Sequence, residues 1–221
     1  MPNSNTQVNL VERYKKQTIW FHWMHTMAFL VLLITGMFMF VPGWGIVAQD
    51  SITRVIHRIA AIVFVVGPIL FLPLNPKGAL HFVKETFTWG KEDIGWLKAA
   101  PIYYFGGPED IMPPQGHANS GQKMWQLVIF GTGIVFFVTG CIIWFAKGSV
   151  SPELFRWSIF VHDIAFILAG NMLLLHIYLG VMHPRMTESL RSMWTGKISD
   201  TYARTHYAKW YDEVTEKRHS E

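Results

Sequence analysis

The sequence predicts an all-α integral membrane protein, a four-helix bundle with cytoplasmic termini and an interfacial, helical inner loop. Three observations carry this. Of the 221 residues, 51% are hydrophobic and 15% charged. Four long apolar runs, residues 19–41, 55–74, 124–146 and 157–182, hold between them only Arg58 and Asp163 as charged residues. The Lys and Arg residues outside those runs gather on one side. About 20 residues cross a hydrocarbon core of about 30 Å as a helix, so each run has spanning length. Trp and Tyr near the run ends fit membrane interfaces better than the core of a soluble protein. The first run follows a polar tail, exceeds a signal-peptide h-region and lacks an A-x-A site.

The same composition excludes other classes. A disordered chain carries more charge and less apolar mass. The single Cys141 cannot form an intrachain disulfide, and one thiol cannot hold a zinc finger or an iron–sulfur cluster. A net charge of +4 would favour nucleic acid only if the basic residues formed a binding face. They mark sidedness instead. Four spans place the N-terminal tail, middle loop and C-terminal tail together, and that side holds fifteen of the nineteen Lys and Arg residues. The positive-inside rule then puts both termini in the cytoplasm, in agreement with Arg13, Lys15 and Lys16 just before the first run.

The connections follow in order. A short Gly/Pro/Trp turn at residues 42–45 joins the first two spans, and residues 147–152 join the last two. The inner loop, 75–123, is long. Its first part, 79–100, mixes Lys with Phe87, Trp89, Trp96 and Leu97, the composition of a helix lying in the interface. Its second part, 108–114, is Pro-rich and irregular. Residues 1–187 form the membrane domain. Residues 188–221, polar with Trp194, Tyr202, Tyr207, Trp210 and Tyr211, form a cytoplasmic extension with a short helix. No repeat or low-complexity segment stands out.

Five of the ten histidines, His22, His25, His57, His162 and His176, lie in or at the ends of the spans. An ionisable residue at that depth is costly and points to function. His162 and His176 are fourteen residues apart. On a helix that is about 21 Å along the axis and about 40° around it, so they share a face. Depth pairs His22 with His176 and His57 with His162. Two His–His pairs stacked across a membrane suit two b-type haems, each iron taking two imidazoles. Zinc wants three or four ligands converging in one place. A proton relay through histidine is the other competitor. His25 lies three residues from His22 on nearly the same face, and spacing alone does not choose between them. Gly36, Gly67, Gly131, Gly133, Gly140 and Gly170 make room for a porphyrin or for ordinary close helix packing. Asp163 reads as a group orienting an imidazole or as an ion-pair partner. His81, His117, His183, His206 and His219 read as solvated or interfacial.

With these residues in place, the sequence resembles the cytochrome b (gamma) subunit of membrane-bound formate dehydrogenases. The resemblance rests on Phe21-His22-Trp23 with Gly36 beyond it, Val55-Ile56-His57, and Asn119-Ser120-Gly121-Gln122-Lys123-Met124. The His162…His176 spacing and the tail around Lys197, His206 and Trp210-Tyr211 extend it. It implies two haem b groups, the periplasmic one on His57 and His162 and the cytoplasmic one on His22 and His176, which chooses His22 over His25. It also implies a quinone site, for menaquinone or ubiquinone, at Asn119, Gly121 and Gln122 beside the inner haem. Free amides at a helix start can donate to a quinone carbonyl, although Asn119 or Ser120 can equally be a helix cap. The implied subunit is non-catalytic for formate itself. It sits in the bacterial inner membrane as a multi-pass anchor in lipid, in a complex that can form a higher oligomer. It takes electrons from a periplasmic iron–sulfur subunit, fed by a molybdenum or tungsten catalytic subunit, and delivers them to quinone. Two alternatives stand beside it. One is a cytochrome b subunit of a nickel–iron hydrogenase or sulfur-compound reductase. The other is a histidine-using metal or proton transporter.

Overall fold

In lipid a backbone amide finds no water to bond, so an apolar run must satisfy its own peptide groups as a helix. A computed structural model describes residues 9–45 and 51–220. The four apolar runs are there as four long helices: α1 (Lys16–Phe40), α2 (Ser51–Leu74), α5 (Ser120–Phe145) and α6 (Pro152–Ile177). Only 11–17% of the most apolar stretch of each is buried inside the protein. A soluble core helix would hide most of that surface, so these are membrane spans whose outer faces, with Ile69 and Leu174 among the residues exposed there, meet lipid.

Two compact units are present. The first comprises residues 20–81 and 126–175 and holds most of the four spans. Aromatic and glycine contacts set its order. Phe21 of α1 stacks on Phe71 of α2 at 4.4 Å, and a Cβ at Gly67 would lie 2.7 Å from the Met24 methyl. Arg58 of α2 lies over the Trp144 ring of α5 at 5.1 Å. Phe136 of α5 packs on His162 of α6 at 5.0 Å, and Phe40 of α1 on Phe166 of α6 at 5.4 Å. The four helices therefore close into a ring in the order α1, α2, α5, α6.

The second unit comprises residues 9–19, 82–125 and 176–220 among those described. The inner loop supplies two helices, α3 (Pro76–Phe87), which runs across the division between the units, and α4 (Lys91–Tyr104). The tail supplies α7 (Thr187–Thr195), α8 (Asp200–His206) and α9 (Ala208–Ser220). The expected irregular stretch before α5 is present, and so is a helical tail, larger than a single short helix. A small sheet is also present: β1 (Leu10–Glu12) pairs antiparallel with β2 (Lys197–Ser199), Val11 opposite Ile198. Gly196 makes the join. It ends α7 at φ 77°, and its carbonyl accepts the amides of Arg13 and Tyr14 at 2.7 and 3.0 Å. A Cβ there would stand 2.5 Å from the Tyr14 carbonyl oxygen, so only glycine fits. Val11, Ile198, Tyr202, Ala203, Tyr207, Trp210 and Tyr211 form the core beneath. The Arg13 guanidinium lies over the Tyr207 ring at 3.6 Å.

Candidate functional site

His57 of α2 and His162 of α6 both belong to the first unit. Each imidazole is held the same way. Nδ1 of His57 lies 2.8 Å from Thr35 Oγ1, and Nδ1 of His162 lies 2.8 Å from Thr139 Oγ1. Each hydroxyl also donates its one proton to the carbonyl a turn earlier, Val31 or Val135, at 2.6 Å. The hydroxyl can then only accept from the imidazole, so Nδ1 carries the ring proton and Nε2 keeps a bare lone pair. A histidine that ligates a metal has this form, its other N–H fixed by a neighbouring acceptor. Gly36 and Gly140 lie beside the same rings: a Cβ on either would come to 3.8 or 3.9 Å from Cε1 of His57 or His162. Two imidazoles aimed alike, with no carboxylate ion pair to either among the described residues, suit haem iron.

His22 and His25 differ from that pair. The Nδ1 atom of each is buried and has no hydrogen-bond partner among the described residues. The His25 ring is enclosed by two phenylalanines, stacked on Phe64 at 4.1 Å and Phe21 at 5.4 Å. His22 makes an edge contact with Trp23 at 5.1 Å. His176 belongs to the second unit, where its ring lies flat on Trp125 at 4.8 Å. Asp163 does not orient an imidazole: Thr139 does that work. Asp163 is half-buried and forms no ion pair among the described residues.

The segment 119–123 is built into the second unit by a dense set of bonds. Asn119 Oδ1 accepts the Gln122 amide at 2.9 Å, and Gln122 Oε1 accepts the Asn119 amide at 3.0 Å. That reciprocal pair is a capping box at the start of α5. Ser120 donates its amide to Gln115 Oε1 at 2.9 Å, and the Lys123 amide bonds the Asn119 carbonyl at 2.9 Å. The first-turn amides expected to meet a quinone are therefore occupied at three of these positions. Nitrogen donors remain on the side chains: Gln122 Nε2 has only a long contact, 3.5 Å, to the Tyr207 hydroxyl. Gly121 gives way to an indole, since a Cβ there would stand 2.8 Å from the Trp96 ring.

Residues that sequence reasoning passed over complete the segment. Asp93, at the third position of α4, is buried and takes hydrogen bonds from Lys123 Nζ at 2.9 Å and Ser120 Oγ at 2.8 Å on Oδ1 and from the Gly90 amide at 2.9 Å on Oδ2. Burial works against its charge, but those donors prevail and hold its pKa below the ordinary carboxylate value. Two histidines expected to be solvated are structural instead. His183 is buried, its Nε2 3.0 Å from the Tyr104 carbonyl. His206 stacks on Tyr202 at 3.9 Å and bonds the Tyr103 hydroxyl at 2.8 Å, and burial lowers its pKa against the pull of Glu109. The side chain of His219 lies outside the described residues. Thr35 and Thr139 had a readable signal: each opens a Thr-Gly pair 22 or 23 residues before its histidine.

Comparison with known proteins agrees with the resemblance read from the sequence. The chain is 28% identical over 201 residues to the nitrate-inducible formate dehydrogenase cytochrome b556(Fdn) subunit of Escherichia coli K12, covering 87% of this chain and 86% of that one. It is 27% identical over 198 residues to the formate dehydrogenase cytochrome b556 subunit of Haemophilus influenzae, covering 87% and 78%. A family model described as prokaryotic cytochrome b561 matches residues 13–196, and with four membrane spans and the imidazole donors above, the chain belongs to that family.

Proposed function

We propose that this chain is the membrane cytochrome b subunit of a respiratory formate dehydrogenase, carrying two b haems. It accepts electrons from an iron–sulfur partner on the periplasmic face and reduces quinone near the cytoplasmic face. The observation that carries the haem reading is the pair His57 and His162, each with Nδ1 2.8 Å from a threonine hydroxyl that bonds a helix carbonyl at 2.6 Å. The similarity to two formate dehydrogenase cytochrome b556 subunits supports the choice of complex. Haem b on such ligands supplies a one-electron iron couple. His57 and His162 would hold the periplasmic haem; His22 and His176, matched by depth, would hold the cytoplasmic one.

The chain's own residues set the rest. The apolar spans surround the four histidines with hydrocarbon side chains. Asn119 and Gln122 fix the start of α5 through their capping box and offer side-chain amide donors to a quinone carbonyl, while Gly121 admits Trp96 beside them. Fifteen of nineteen Lys and Arg residues on one side support cytoplasmic termini, as in a protein of the inner membrane. Quinone reduced on that face takes its protons from the cytoplasm, and electrons moving inward against them are worth about 2.3 kcal/mol per charge per 100 mV.

The test is a reduced-minus-oxidised optical spectrum with haem quantitation on the complex purified through this chain, before and after formate. Two b haems per chain, reduced by formate in the presence of the co-purified partners, are expected. A b spectrum reduced by hydrogen but not formate would move the chain to a hydrogenase. No b bands would return the histidines to transport.

A further inference from the structure

The Thr35–His57 and Thr139–His162 bonds do more than satisfy two buried polar rings. We propose that Thr35 and Thr139 are positioning residues that fix the tautomer and orientation of the two haem ligands and strengthen them as donors. The inference rests on the reading of His57 and His162 as haem ligands and goes beyond it.

Proton accounting is the first support. Each hydroxyl has one proton and spends it on a helix carbonyl at 2.6 Å. Its contact with Nδ1 at 2.8 Å is then a bond in which the ring donates. A neutral imidazole has one N–H, so Nε2 cannot be the protonated nitrogen. The threonine hydroxyl is the hydrogen-bond partner given for each Nδ1 among the described residues.

Repetition is the second support. The arrangement occurs twice, on different helix pairs. In each, an odd-numbered span (α1 or α5) carries Thr followed by Gly, and the next span (α2 or α6) carries the histidine. In each, the Thr meets the ring at Nδ1 and the following Gly lies beside the Cε1 edge, where an added Cβ would come to ordinary contact, 3.8 Å in one and 3.9 Å in the other. Thr35 and Thr139 are both buried. Incidental packing gives no reason for the same atoms to meet twice. His22 and His25, in the same unit, lack any such partner, so the device is not a general answer to a histidine in this bundle.

Donation from Nδ1–H raises the basicity of Nε2, and partners of this kind change metal affinity or activity by roughly 10–100-fold when removed. The substitutions Thr35→Val and Thr139→Val keep shape and remove the acceptor. Thr35→Ser and Thr139→Ser keep the acceptor. On the purified complex we expect each valine variant to lose haem roughly 10–100-fold faster. The low-spin ferric electron paramagnetic resonance g values and the midpoint potential of one haem should shift, the potential upward, while the other haem is unchanged. Both serine variants should match the parent. Valine variants with parental g values, potential and haem-loss rate would overturn the proposal. So would serine variants displaced from the parent, a comparison that stands even if the valine chains do not accumulate. His57→Ala and His162→Ala, run in parallel, isolate the underlying reading: if either retains both haems, the ligand assignment fails whatever the threonine variants do.

Discussion

The buried pair Asp93–Lys123 makes a sharp prediction about what holds the 119–123 segment in place. Both side chains are about nine-tenths buried, and the Lys123 ammonium bonds Asp93 Oδ1 at 2.9 Å and the Thr88 carbonyl at 3.1 Å. Lys123→Met removes one of three donors from a buried carboxylate and leaves its charge uncompensated. Breaking such a pair costs about 3–5 kcal/mol, whereas replacing both partners is close to neutral. At 1.36 kcal/mol per decade, the lower figure is at least a 100-fold rise in the local opening constant. Amide hydrogen exchange at the first turn of α5, measured on the purified protein in detergent at pH 7, reads this directly. Asp93→Asn with Lys123→Met should recover most of the loss. The pH dependence has a defined sign. In the parent the Asp93 pKa is depressed, so its contribution is full above the unfolded carboxylate pKa of about 3.9 and fades only as pH falls through the lower folded value. In Lys123→Met the Gly90 and Ser120 donors remain but the ammonium is gone, so that pKa rises from its value in the parent and protection should return on acidification. Exchange in the single variant no faster than in the double one would refute the reasoning.

Three further outcomes are expected. Gly196→Ala should loosen the β1–β2 pairing, because residue 196 sits at φ 77° with a Cβ position 2.5 Å from the Tyr14 carbonyl; strain of about 1–3 kcal/mol should appear as a lower thermal midpoint, and an unchanged midpoint would remove Gly196 from the join. His22→Ala should remove one haem and His25→Ala neither, by haem quantitation on the purified chain; the reverse result would reassign the helix α1 ligand. Gln122→Glu keeps the Oε1 acceptor of the capping box and loses the Nε2 donor, so thermal stability should hold while quinone reduction falls with both haems retained; full quinone turnover would leave Gln122 a cap alone.

What was legible in the sequence follows from how local each determinant is. The spans were readable because lipid permits a charge-free run of that length only one structure, and the run needs no partner to declare itself. His57 and His162 stood out because an ionisable group in an apolar span is conspicuous, even near the span's outer end. The sign of their threonines, a Thr-Gly pair on the preceding span, is faint, since Thr35 and Thr139 look like ordinary small polar residues of a span until the fold sets them against rings more than twenty positions away. The strands were hidden for a similar reason. Leu10–Glu12 is too short to show a period, and it pairs only because Gly196, far along the chain, turns its carbonyl toward Arg13 and Tyr14. His183 and His206 were read as solvated because the tail looks polar, yet Tyr104 and Tyr103 of the inner loop supply their partners. At 119–123 the residue pattern was visible and its structural meaning was not: capping, the Trp96 contact and the Asp93 ion pair account for Asn119, Gln122, Gly121 and Lys123 before any ligand is considered.

Hydrogen-bond accounting then separates two kinds of histidine in one apolar setting. A buried polar group left without a partner costs about 1–3 kcal/mol. His57 and His162 avoid that cost through hydroxyls of the chain itself, so their Nδ1 atoms are satisfied and their rings are aimed before any ligand arrives. His22 and His25 carry it at Nδ1. A group that binds only the folded chain repays such a cost by mass action, stabilising the fold in proportion to the logarithm of its concentration over its dissociation constant. On the haem reading, one ligand pair is preorganised by the protein while the helix α1 ligand is set in place by the group it binds. On that reading the four-helix frame would hold two sites of different rigidity, the difference written in two Thr-Gly pairs rather than in the histidines themselves.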